Sequence, residues 1–73
     1  LEVAYDPSTR PQAVAWASKA RAAGLRVATG PAQNGPPRAG VNFRADGVWW
    51  VDARGSRRLA ASELDALLEG RTP

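Results

Sequence analysis

The sequence predicts a small α/β sandwich of two or three layers, built in the order β-α-β-β-β-α around a mixed sheet. Three observations predict it. Residues 1–5 and 25–29 alternate as strands do, and they bracket a stretch of helical periodicity. Apolar alternations on both sides of Asp46-Gly47 mark a hairpin. Residues 62–69 return to helical spacing and stop at Gly70.

"LEVAY" (1–5) sets Leu1, Val3 and Tyr5 against Glu2 and Ala4, the period of a half-buried strand. "DPSTRP" follows with turn and helix-start chemistry, Ser8 or Thr9 serving as N-cap and Pro11 lying in the first turn. The spacing predicts a helix from Pro11 to Ala23 with a stripe of Ala13, Trp16, Ala17, Ala20 and Ala23, ended by Gly24. Alanines let this helix lie close to a sheet, with Trp16 as its one large anchor. "LRVAT" (25–29) reads as a second strand, and the strand-helix-strand order predicts a right-handed parallel βαβ unit. "GPAQNGPPRAG" (30–40), with three prolines and three glycines, reads as a loop.

"VNFRA" and "VWWVDA" then flank Asp46-Gly47. Placing those two residues at the centre of a type I′ turn pairs Ala45 with Val48, Arg44 with Trp49, Phe43 with Trp50 and Asn42 with Val51. Directly opposed residues share a face. One face is therefore Val41, Phe43, Ala45, Val48 and Trp50, and the other is Asn42, Arg44, Trp49 and Val51. Trp50 is assigned to the core and Trp49 to a mixed face beside Arg44. Arg54-Gly55-Ser56 turns the chain, and Arg58-Leu59 adds a brief edge strand. Ser62 and Asp65 form a capping pattern for a last helix, Ser62 to Glu69, that buries Leu64, Leu67 and Leu68.

The length of 73 residues fits one small domain, which buries only about 60% of the surface its unfolded chain exposes. The chain opens at Leu1 rather than at a methionine, and is read as a domain cut from a longer protein. There is no cysteine and no histidine. That excludes disulfides, thiolate and imidazole metal sites, Ser-His-Asp triads and Cys-His dyads. No apolar run approaches the length of a membrane span and no signal-peptide pattern is present, so the expectation is a cytoplasmic domain without a membrane partner.

The net charge of +3 is unevenly placed. Residues 1–58 hold nine basic and four acidic groups, while residues 59–73 hold Arg71 against Glu63, Asp65 and Glu69. A basic front of this kind suits nucleic acid or an acidic protein surface. Asp52-Ala53-Arg54 echoes the end of a metal-dependent nuclease motif but lacks its lysine. Lys19 lies on an exposed helix face, and "GPAQNG" has no G-K-[ST] after it. The expectation is a non-enzyme with no catalytic, cofactor-binding or metal-binding residues. What remains is Trp49 with Arg44, joined by Arg38, Arg54, Arg57 and Arg58 near the strand ends. Such a cluster can stack bases and neutralise phosphates, or anchor a protein interface. Alternatively a helix covers Trp49 and Arg44 lies over it as a cation–π lid.

"VAYDPSTRPQAVAWASKARAAGLRV" resembles the opening of the anticodon-binding domain of histidyl-type class II aminoacyl-tRNA synthetases, where a strand leads to a helix ending in "LRAAGLRV". "GVWWVDARGSRRLAASELDALLEG" is similar to that domain's end, where a strand and a "tGe" turn precede a short strand and a "leELaalL" helix. Together the blocks span about two thirds of the chain. Between them the family has a second helix and another strand, and here only loop 30–40 occupies that place. The departure points to the degenerate relative that closes the regulatory subunit of ATP phosphoribosyltransferase, in histidine biosynthesis. The resemblance implies a non-catalytic accessory domain that contacts a protein partner, either the catalytic subunit or the remainder of its own chain. The alternative is a tRNA-binding module. A rival resemblance, to the peptidoglycan-binding repeat of cell-division proteins, needs a strand after the last helix, and "GRTP" supplies none.

Overall fold

The computed structural model describes residues 1–32 and 39–71. Its elements are β1 (Glu2–Tyr5), a 3-10 turn (Pro7–Thr9), α1 (Arg10–Ala22), β2 (Ala28–Pro31), β3 (Gly40–Arg44), β4 (Gly47–Asp52), β5 (Gly55–Leu59) and α2 (Ala61–Leu68). The strands form one mixed sheet in the order β2-β1-β3-β4-β5. β1 is parallel to both β2 and β3, and β3, β4 and β5 form an antiparallel meander. The fold is thus a small α/β sandwich, with a full edge strand at 55–59 where the sequence suggested only a brief one.

Strand alternation sorts the side chains. Val3, Val41, Phe43 and Leu59 share one face and enter a single core with Ala13, Trp16 and Ala20 of α1 and Leu67 of α2. Both helices therefore lie on that face, which makes two layers. Ala13, Ala17 and Ala20 are fully buried, so α1 sits close to the sheet. Ala23, expected in the same stripe, is exposed because the helix has already ended there. Trp16 fills the space the alanines leave, its ring centroid 6.3 Å from that of Phe43. Its indole N–H is buried and has no hydrogen-bond partner among the described residues. An indole buries roughly 150–250 Å², about 4–6 kcal/mol of transfer free energy. That exceeds the roughly 1–3 kcal/mol an unpaired N–H costs.

Residues 25–27 precede β2, which begins three residues later than the alternation of "LRVAT" suggests. The end of α1 holds them. The Leu25 N–H closes the helix on the Ala20 carbonyl at 3.0 Å. The Arg21 guanidinium donates twice to the Val27 carbonyl, at 3.3 and 3.1 Å. Bonding to the β1 side begins with the Leu1 amino group donating to the Arg26 carbonyl at 2.9 Å, followed by the Ala28 N–H donating to the Leu1 carbonyl at 2.9 Å. Leu25 and Val27 pack against the core from this connection instead. Gly30 and Pro31 belong to β2 and Gly40 opens β3, which trims the expected loop at both ends.

The first hairpin corrects a second expectation. Arg44 pairs with Gly47, Phe43 with Val48, Asn42 with Trp49 and Val41 with Trp50. The turn residues are Ala45 and Asp46 rather than Asp46 and Gly47. A type I′ turn needs positive φ at both central residues, and no residue other than glycine has one here. Gly47, at φ +140°, supplies the positive angle as the first residue of β4. The corner of β1 also sets where β3 ends. The Phe43 carbonyl accepts from the Asp6 N–H at 3.1 Å and from Thr9 Oγ1 at 2.7 Å. Asp6 Oδ2 accepts from the Ala45 N–H at 3.3 Å. Thr9 is thus spent on β3 and makes no side-chain cap to α1. The pairing is displaced by two residues along β4, an even number, so the face assignments of the strand residues survive, while Ala45, expected on the core face, is an exposed turn residue. Ala53-Arg54-Gly55 repeats the design in the second hairpin, where Asp52 pairs with Gly55.

The last helix is capped differently from the expected Ser62/Asp65 pattern. Ala60 is its N-cap, and Glu63 reaches back to accept the Ala60 N–H at 3.1 Å. No helix among the described residues is long and apolar enough to cross a membrane.

Gly40 lies directly against the backbone of β1. Its φ is +124°, and a Cβ built there would approach the Glu2 carbonyl oxygen to 2.3 Å. Gly40→Ala therefore combines left-handed strain with a backbone clash, and we expect it to lower unfolding free energy by about 3 kcal/mol or more in urea denaturation.

Candidate functional site

The two adjacent tryptophans point to opposite sides of β4, and each is fixed by a carboxylate of its own hairpin. Trp50, among the core side chains, donates its indole N–H to Asp52 Oδ2 at 3.0 Å. Trp49, on the face away from the helices, donates to Asp46 Oδ1 at 3.1 Å. Neither acid was expected in this role. The signal was present as Trp-Val-Asp, because residues two apart on a strand share a face. The Asp46 contact depends on the turn lying one residue earlier than expected.

On the helix-free face Ala4, Asn42, Trp49 and Arg58 line up across four strands. The guanidinium carbon of Arg58 lies 5.3 Å from the Trp49 ring centroid, a cation–π arrangement. Arg58 also donates to the Asp46 carbonyl. The lid over Trp49 is therefore Arg58, from β5, and not Arg44. Arg44 faces Gly47 and is a diagonal neighbour of Trp49 on the same face. Asn42, which sequence reasoning placed on this face without a role, is buried and donates to the Gly40 carbonyl at 3.4 Å.

The remaining expected residues divide. Arg57 lies opposite Trp50 on the helix side and pairs with Glu63 of α2 at 2.7 Å. Arg54 is exposed in the turn, and its own N–H donates to Asp52 Oδ1 at 2.8 Å. Arg38 lies outside the described residues. The five expected residues that are described thus form no single patch. Trp49, Arg58 and Arg44 occupy one face, while Arg57 lies on the other and Arg54 at the end of the β4–β5 hairpin.

At that end an open cleft of about 360 Å³ is lined by Trp50, Asp52, Arg54, Gly55, Ser56 and Arg57. Gly55 leaves open space where a side chain would stand. The cleft holds no histidine, cysteine or lysine that could act as nucleophile or base at neutral pH. What it offers is an aromatic wall with two guanidinium groups. On its other side Trp50 borders a smaller apolar groove with Leu1, Leu25 and Leu67.

Two carboxyls here are held below their ordinary range. The Arg54 backbone N–H is the main cause for Asp52, followed by the Trp50 indole N–H. For Glu63 it is the Ala60 N–H, followed by the Arg57 guanidinium. No known protein-family model, curated protein or solved structure matches the chain.

A folded-state pKa below the unfolded one means that the unfolded chain binds protons more readily. The associated stability is fully present above the unfolded carboxylate pKa and is lost as pH falls through the lowered folded values. Acid titration of the melting temperature should therefore decline less steeply in an Asp52→Asn, Glu63→Gln double variant than in the parent. Arg58→Ala should leave the fold intact, at a cost below about 1 kcal/mol, while uncovering Trp49. Acrylamide quenching of tryptophan fluorescence should rise.

Proposed function

We propose that this domain is a non-catalytic accessory module that acts through protein contact, made by the arginine-bearing β4–β5 hairpin. One observation carries the reading: a single hairpin distributes Arg54, Arg57 and Arg58 over its turn and both faces of an edge strand. A surface that tracks a phosphate backbone gathers its cations on one side and leaves aromatic rings open for bases to stack on. Here Trp49 is already covered by Arg58 and held by Asp46, and Arg57 is partly neutralised by Glu63. Rigid aromatic and arginine side chains in such a setting suit a protein interface.

The finer assignment is an anticodon-binding-like domain of a cytoplasmic ATP phosphoribosyltransferase regulatory subunit, in contact with the catalytic subunit or with the rest of its own chain. Two things support it: the two sequence blocks that resemble that family, and the elements they adopt. The first block forms strand and helix, and the second forms strand, glycine turn, short strand and helix. The tRNA-binding alternative rests on the basic surface alone.

Fluorescence anisotropy with labelled bulk tRNA at low salt separates the two. We expect no saturable binding. Binding that weakens steeply with salt and collapses on Arg57→Ala with Arg58→Ala would favour the RNA module. For the finer assignment, size-exclusion chromatography with the ATP phosphoribosyltransferase catalytic subunit of the same organism should show co-elution that an Arg54→Glu, Arg58→Glu variant loses. Separate elution of the parent chain contradicts it.

A further inference from the structure

Resting on the protein-contact reading, we infer that β5 is a docking edge for an acidic peptide segment, which adds to the sheet as a sixth strand. β5 ends the strand order and pairs only with β4 among the described residues. Gly55, Ser56, Arg57 and Arg58 are all exposed. In an antiparallel ladder the bonding groups alternate in direction, so every second residue of such an edge turns its N–H and C=O away from its neighbour. Those groups are the template that strand addition uses.

Charge selects the occupant. Residues 52–58 carry three arginines and one acid, and that acid, Asp52, already accepts from Trp50 and from the Arg54 backbone. Arg54 is exposed in the turn, its charge acting on Asp52 alongside that of Arg57, and the Arg57 side chain is half exposed at 53% despite its pair with Glu63. A second copy of this chain pairing along β5 would bring arginine against arginine, which opposes self-association through the edge. A strand rich in glutamate or aspartate meets the opposite situation. One of its carboxylates reaches the cleft, where Arg54 and Arg57 stand over the space that Gly55 leaves open beside Trp50. The next, on the opposite face of the added strand, reaches Arg58 on the helix-free side. Backbone pairing sets the orientation, and the arginines set the chemistry of the partner.

The test is an amide-shift titration of the 73-residue chain with an acetylated, amidated peptide of sequence ETEETE at low ionic strength. Shifts confined to residues 55–58 and the Arg54 turn are expected. N-methylation of alternate peptide amides keeps every charge and removes the strand's hydrogen bonds. It should weaken binding at least about tenfold. Arg54→Glu, an exposed turn substitution that leaves the core untouched, should weaken it roughly fivefold. If the N-methylated peptide binds as tightly as its parent while Arg54→Glu still weakens both, the hairpin remains a contact surface but strand addition is overturned. No binding, or shifts that map elsewhere, also overturns it. So does saturable binding of oligouridine at residues 55–58 in place of the peptide.

Discussion

Packing on one side of the sheet is the constraint from which the rest of this domain follows. α1 presents alanines at three fully buried positions, so its backbone lies near β1 and β3, and Trp16 closes the remaining space against Phe43. Removing such a ring from a core costs about 3–5 kcal/mol, a large fraction of what a chain of this size has. With both helices committed to that face, each strand has one side facing the core and one side without a helix over it. Two adjacent tryptophans are then forced apart: Trp50 goes to the core and Trp49 to the other side. The same arrangement leaves β5 at the edge, where its arginines meet solvent.

Carboxylates of the hairpins do the local positioning. Asp46 and Asp52 each hold one indole N–H, and Asp52 also holds the Arg54 N–H of the second turn. Glu63 caps α2 and holds Arg57. These acids are therefore occupied inside the structure, and the positive charge of the hairpin is left facing outward. The acidic character of the C-terminal segment is in part a counter-charge to β5.

Much of this was legible in the sequence, because periodicity reports burial directly. Val3 and Tyr5 of the alternation at 1–5, Ala13, Trp16 and Ala20 of the helical stripe, and the leucines of α2 all lie in or against the core, whereas Leu1 and Ala23, expected with them, are exposed. Faces in the first hairpin were also legible, since a displacement of two residues along β4 preserves which side each residue takes. The turn itself was not. Asp-Gly is a strong local pattern, but contacts from Asp6 and Thr9, more than thirty residues away in sequence, end β3 at Arg44. β2 starts later than expected for a similar reason, since Arg21 holds the Val27 carbonyl at the end of α1. At the candidate site, the partner of Trp49 depended on where β5 lies, and only Arg58-Leu59 hinted at a strand there. Local pattern locates faces, while tertiary hydrogen bonds decide register and hence neighbours.

One-sided packing gives Trp49 and Trp50 different neighbours. Proton–proton Overhauser contacts from the two indole rings test this most directly. Trp49 ring protons should contact Arg58 and Asn42 side chains and no methyl group of either helix, while Trp50 should contact Leu25 and Leu67. Contacts from Trp49 to the α2 leucines, with Trp50 contacting Arg58, would contradict it.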